Sequence, residues 1–194
     1  PYVDAKFHWH LFYKSEFKNI LDLDKEPDYK KIQNYIQNNF SKNKLNIISE
    51  ENIYTYQFTK EDDRFKRLDR IKKAFPEAKI IIGTRKAEDS IASWYVEYVA
   101  VGGTQDFQGF LKNFMNLDKL DPAPYIEKLK ENYGKENVFV YTMDELRKDQ
   151  DKLIENICKF MGVKKPIKYR KTPARVGYGM TTLKISLFLN RLFK

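Results

Sequence analysis

The residues Ile80-Ile81-Ile82 form a short apolar run without polar alternation, the pattern of a strand covered on both faces in a parallel sheet. A few positions later the period changes. Ile91, Trp94, Tyr95, Tyr98 and Val99 fall at i, i+3, i+4, i+7 and i+8, which gathers them into one apolar stripe along a helix. Leu45 to Ile48 and Val138 to Tyr141 repeat the strand pattern. Tyr29, Ile32, Ile36 and Phe40 mark a helix that follows Pro27, read as a proline of the first turn. Phe65, Leu68, Lys72 and Phe75 mark another that ends before Pro76, and Phe107, Phe110, Leu111, Phe114 and Met115 a further one. Gly134 and Gly162 stand where helices should stop. The run from Thr181 to Phe193 carries Leu183, Leu187, Phe188, Leu192 and Phe193, a broad apolar face for the sheet or for a partner. Strands alternating with helices predict an α/β fold of three layers, a mostly parallel sheet flanked by helices and joined by right-handed crossovers.

Composition narrows the class. A chain of 194 residues with 42% apolar content can bury one core, and no linker, repeat or low-complexity tract divides it, so residues 1–194 are read as a single domain. Only Ser41 to Lys44 and Lys164 to Lys168 look like polar connections. No apolar run reaches the length of a membrane span and no signal peptide is visible, which reads as a cytoplasmic protein unless an N-terminal signal or anchor has been removed. One Cys excludes an internal disulfide, and Cys158 sits among Ile154, Ile157 and Met161 as a buried thiol would. With two His and one Cys, no ligand spacing for a metal is present, and none is expected.

The net charge of +9 attracts anions without choosing among a nucleotide, an acidic glycan, a nucleic acid and an anionic membrane. Nucleic acid is disfavoured, because most aromatics fall at helical core spacing and no recognition motif for grooves or single strands appears. A narrower indication comes from the loop after Ile80 to Ile82. The crevice between a strand end and a helix start collects unpaired backbone N–H groups and the positive end of the helix dipole. Arg85 falls in that crevice and Ser93 lies two turns into the helix, a guanidinium fork and a hydroxyl suited to a doubly charged phosphate.

The order of these residues is more specific than their types. Phe75-Pro76-Glu77-Ala78-Lys79 leads into the strand, Arg85 and Ser93 are eight apart, and Trp94-Tyr95 continues the helix. Downstream come Tyr125 to Gly134, then Glu136 to Leu146, then Leu153 to Gly162, in the order helix, strand, acidic-Leu turn and a helix ending in Phe-Met-Gly. From about Leu45 onward the chain resembles the sulfotransferase family, whose Arg and Ser at this spacing bind the 3′-phosphate of 3′-phosphoadenosine 5′-phosphosulfate. The resemblance implies the sulfotransferase variant of the P-loop NTPase-like fold, with that nucleotide as co-substrate. It implies transfer of a sulfuryl group to a hydroxyl or amine acceptor, a small molecule or a glycan.

The departures shape the expected site. Family members open with a glycine-bearing loop that holds the 5′-phosphosulfate, whereas no glycine here precedes Gly83 and the sequence starts at Pro1. The chain is therefore read as N-terminally truncated, with that loop upstream and activity as given in question. The family's catalytic base, Glu or His, falls near Lys6 to Phe12, which contains both histidines, His8 and His10. His8 is preferred; an alternating strand or a packed aromatic cluster is the competing reading of the pair. Leu45 to Tyr56 is similar to the family's strand and acidic motif, and makes Glu50 and Glu51 candidates to orient the acceptor or act as base, although the family's following Lys-Thr/Ser-Pro is absent. Arg170, Lys171 and Arg175, in a basic glycine-bearing loop, occupy the place of a family loop that closes over the nucleotide. A P-loop kinase-like phosphotransferase and a catalytically silent anion- or glycan-binding relative are the alternatives.

Overall fold

A computed structural model of the chain describes residues 5–8, 10–50, 54, 62–165 and 179–193. Strand β3 (Ile80–Thr84) pairs in parallel with β4 (Val138–Thr142), Ile80 opposite Val138 and Thr84 opposite Thr142. Ile80, Ile82 and Val138 share one face of this pair. They pack on Leu68 of helix α3 (Arg64–Ala74) and on Tyr125, Leu129 and Tyr133 of helix α6 (Ala123–Tyr133). The opposite face turns Phe139 toward Phe160 of helix α8 (Gln150–Met161), ring centroids 5.4 Å apart. Helices thus cover the pair from both sides, as the alternation of strands and helices predicts. The covering is incomplete: Ile81 is 39% exposed, so the unbroken apolar run overstated burial on its second face.

Gly83 has a steric reason. The Tyr141 ring lies across it, and an added Cβ would meet Tyr141 Cζ and the hydroxyl oxygen at 2.7 Å. Glycine allows that side chain to cross the strand next to the end that leads into the Arg85 loop.

A second parallel pair joins β1 (Ala5–Phe7) to β2 (Leu45–Ile47). The periodicity did not mark β1, since Ala-Lys-Phe is too short to show a period. Beside it, helix α1 (Lys18–Leu21) and the 3₁₀ turn Leu11–Tyr13 bury Leu11, Phe12, Phe17, Ile20 and Leu21 against Ile32 of helix α2 (Tyr29–Asn39) and Ile71 and Ala74 of α3. Helix α2 begins at Tyr29, two residues past Pro27. Asp28 is its N-cap, accepting the Lys31 N–H at 3.1 Å, so the proline precedes the cap rather than occupying the first turn.

Helix α4 (Ala87–Ala100) forms a third apolar cluster with helix α5 (Phe107–Phe114) and helix α9 (Met180–Leu192), around Tyr95, Tyr98, Val99, Phe110, Met115 and Leu183. Gly134 and Gly162 end α6 and α8 with φ of 85° and 72°, the positive range that glycine adopts without strain. Arg64 ties α3 to the segment before α6. It is 3% exposed, grips Asp62 through Nε and Nη2 at 2.8 Å each, and donates to the Tyr54 hydroxyl at 2.8 Å and the Asp121 carbonyl at 3.1 Å. Every donor edge of this guanidinium is used, which is the condition under which a buried charge is tolerated. The clip fixes the approach to Pro122, a residue that lines the site described next.

Candidate functional site

Strands β3 and β4 run in the same direction and end side by side at Thr84 and Thr142, where the Thr84 hydroxyl donates to the Tyr141 carbonyl at 3.2 Å. Each strand then turns into a helix. After β3 come Arg85 and Lys86, the latter the N-cap of α4. After β4, Thr142 caps helix α7 (Met143–Lys148) through a reciprocal box with Glu145, its hydroxyl accepting the Glu145 N–H at 3.1 Å and its own N–H reaching the Glu145 carboxylate at 2.7 Å. Ligands of open α/β sheets bind at such carboxyl ends. Here a cavity of about 240 Å³ is lined by Thr84, Arg85, Lys86, Asp89, Pro122, Thr142, Met143 and Asp144.

Its rim is an alternating set of charges. Arg85 Nε stands 3.7 Å from the Asp89 carboxylate, and Arg147 Nη1 of α7 stands 3.6 Å from the same oxygen. Lys86 reaches Asp144 at 3.2 Å and Arg147 reaches Asp144 at 3.4 Å. Neither contact of Asp89 is short enough for a hydrogen bond, and all these side chains are at least a third exposed, so each pair is weak and exchangeable. Three cations against two carboxylates leave the cluster cationic. Asp89 and Ser93 lie one turn apart on α4, so Arg85, Asp89 and Ser93 follow one side of the helix from its first turn. Ser93 is exposed, and its hydroxyl has no hydrogen-bond partner among the described residues.

The histidines lie in the other strand pair. His8, 8% exposed, follows β1, stacks on Phe40 with ring centroids 3.9 Å apart, and joins its Nε2 to Asn46 Oδ1 at 3.0 Å. The Asn46 amide is oriented by its neighbours: Oδ1 accepts the Ser41 N–H at 2.9 Å and the NH₂ donates to the Ser41 carbonyl at 2.8 Å. Since Oδ1 accepts, Nε2 of neutral His8 must carry the proton, which leaves the lone pair on Nδ1. His10 is exposed in a left-handed turn, φ 56°, with its ring at the edge of Tyr13. No hydrogen bond or ion pair joins either histidine to Arg85 or Ser93 among the described residues. Glu50 closes the segment after β2 and is half-buried. Glu51, Arg170, Lys171 and Arg175 lie outside the described residues.

Four participants went unmarked in the sequence. Asp89 follows Arg85 at i+4 across the loop–helix junction, and Arg147 and Lys86 are ordinary surface types until the two strand ends meet. Asn46 did carry a signal, an amide inside the apolar run Leu45 to Ile48.

Comparison with known proteins bears on the whole arrangement. No curated protein matches the chain. Among solved structures, a crystal structure of a sulfotransferase from Alicyclobacillus acidocaldarius is similar in fold, with a TM-score of 0.60, 15% sequence identity, and coverage of 97% of this chain and 83% of that one. The family model described as the sulfotransferase family matches residues 4–166, a span that holds both strand pairs, the Arg85 loop and α4. A match over that much of the chain settles the family: the protein belongs to the sulfotransferases.

Proposed function

We propose that the protein moves a sulfuryl group from 3′-phosphoadenosine 5′-phosphosulfate to a hydroxyl or amine of a small-molecule or saccharide acceptor. The observation that carries the reading is the Arg85 rim: a guanidinium at a parallel strand end, loosely held by Asp89, with the free Ser93 hydroxyl further along the same helix. A 3′-phosphate dianion fits there as a replacement partner. It offers Arg85 two charge-assisted hydrogen bonds where Asp89 offers a contact at 3.7 Å, and it takes a third from Ser93. Glu88 and Asp89 occupy the first turn of α4 and disfavour an anion at the helix tip, and Asp89 lies on the side that Arg85 and Ser93 share, so the phosphate binds there by displacing the Asp89 carboxylate from Arg85.

In the transfer itself the acceptor oxygen or nitrogen attacks sulfur, the bond from sulfur to the bridging phosphate oxygen breaks, and adenosine 3′,5′-bisphosphate leaves. The acceptor proton goes to a base. We assign that role to Nδ1 of His8, with Asn46 holding the tautomer and Phe40 the ring plane. The test is direct. The purified protein is incubated with the donor and a panel of hydroxyl and amine acceptors, and release of adenosine 3′,5′-bisphosphate is followed. Acceptor-dependent release that falls sharply in Arg85→Ala supports the reading; a protein that binds the donor but releases none with any acceptor on the panel points instead to a silent relative.

A further inference from the structure

The outward face of α9 has no counterpart in the catalytic reading. Leu183, Leu187 and Asn190 point to α4, where Asn190 donates to the Val99 and Gly103 carbonyls at 2.8 and 2.9 Å. Ile185, Phe188, Leu189 and Leu192 fall at i, i+3, i+4 and i+7 on the opposite side, and they are between 43 and 61% exposed. Phe193 and Met180 continue the apolar surface at either end. A helix that is apolar on both faces belongs under cover on both, and α4 supplies only one cover. Lys184 and Arg191, both exposed, flank the stripe one above the other; Arg191 also donates its Nε–H to the Thr104 carbonyl at 2.8 Å.

Charge identifies the second cover. No Asp or Glu follows Glu155, whereas ten Lys and Arg do, so the final 39 residues carry a net charge of +10 and the rest of the chain is close to neutral. An apolar stripe of Phe, Leu and Ile beside basic side chains, on the one strongly cationic segment of the protein, is the composition of a helix that lies in a lipid–water interface. No helix among the described residues is long and apolar enough to cross a membrane, which leaves surface seating as the mode. A second copy fits less well. The reason is charge: pairing two copies through this face would bring two cationic segments together.

We propose that α9 seats the protein on an anionic membrane surface, with Ile185, Phe188, Leu189 and Leu192 in the acyl boundary and Lys184 and Arg191 at the lipid phosphates. Sedimentation with vesicles tests this, comparing phosphatidylglycerol mixed with phosphatidylcholine against phosphatidylcholine alone. The wild-type chain should partition onto the mixed vesicles, lose that partition as salt is raised, and bind the zwitterionic vesicles far more weakly. Phe188→Ser with Leu192→Ser should lower partition by roughly tenfold or more for each side chain. Both positions are solvent-exposed, and thermal melting of the variant checks that the fold is intact; Ile185→Ser on the same stripe repeats the test with a single change. Arg85→Ala should bind vesicles like wild type, which separates this surface from the nucleotide site. The proposal is overturned if the α9 variants sediment as wild type does, or if the wild type ignores anionic vesicles. A dimer that forms without lipid and is dissolved by Phe188→Ser and Leu192→Ser also overturns it, by placing a second copy on the stripe.

Discussion

Asn46→Ala should destabilise the protein by about 2–3 kcal/mol. The side chain makes three partly buried hydrogen bonds, to the Ser41 N–H at 2.9 Å, the Ser41 carbonyl at 2.8 Å and His8 Nε2 at 3.0 Å. A fourth, to the Lys44 carbonyl at 3.3 Å, is exposed and adds little. At a net contribution of about 1 kcal/mol per partly buried bond the three sum to the figure above, which corresponds to a fall in Tm of roughly 5–10 °C for a chain of this size. Chemical denaturation should show a lower midpoint at unchanged slope, since the loss is local and the surface exposed on unfolding is the same. His8→Ala in the same background should show a coupling of about 0.5–1.5 kcal/mol, the signature of a direct pair. An Asn46→Ala protein within about 0.5 kcal/mol of wild type would refute the assignment of the amide as the clamp between β1, β2 and the Ser41 turn, and with it the fixed tautomer of His8.

His8→Ala should reduce kcat by about 10²–10⁴ with little change in nucleotide affinity, and equal losses in both would make the imidazole a packing residue only. Gly83→Ala should cost about 1–3 kcal/mol, because the new Cβ would meet the Tyr141 ring at 2.7 Å. Gly83→Ala combined with Tyr141→Ala should then cost less than the two single changes added together, and strict additivity in denaturation midpoints would remove the steric explanation. The Arg64 guanidinium beside Asp62 holds that carboxyl below its ordinary value, so the folded chain takes up this proton less readily than the unfolded one. Its stabilisation is complete above roughly pH 5 and is lost as pH falls through the depressed value. Asp62→Asn should accordingly flatten the acid limb of the stability profile, and a limb of unchanged slope would exclude this pair as a source of the acid sensitivity.

Long apolar segments declared themselves in the sequence, and short or composite ones did not. Ile80 to Ile82 and Val138 to Tyr141 were legible as strands because their apolar residues are dense, and Ile80, Ile82 and Val138 do pack on α3 and α6, although Ile81 and Val140 stay exposed. Ala5–Phe7 was not, because three residues hold no period and the strand is defined by its partner Leu45–Ile47. The Thr181 to Phe193 run showed its apolar breadth but not its placement. It packs on α4 through Leu183 and Asn190 instead of on the sheet. At the candidate site, Arg85 and Ser93 could be read from spacing along a single element. The carboxylate of Asp89 and the guanidinium of Arg147 are brought together only by β3–β4 register, a tertiary fact that local patterns do not encode. The same holds for His8, whose place in the sequence marks it as a candidate base while its tautomer depends on an amide 38 residues away.

The central claim is that Arg85 and Ser93 hold a nucleotide 3′-phosphate. Isothermal titration calorimetry of the protein with adenosine 3′,5′-bisphosphate, beside adenosine 5′-phosphate, measures it most directly. The account predicts one site per chain, with the bisphosphate preferred. Arg85→Ala should weaken it by about 10- to 100-fold, the value of a charge-assisted pair, and Ser93→Ala by several-fold, with the preference over the monophosphate reduced in both. Equal affinity of wild type and Arg85→Ala for the bisphosphate, or no discrimination between the two nucleotides, would contradict it.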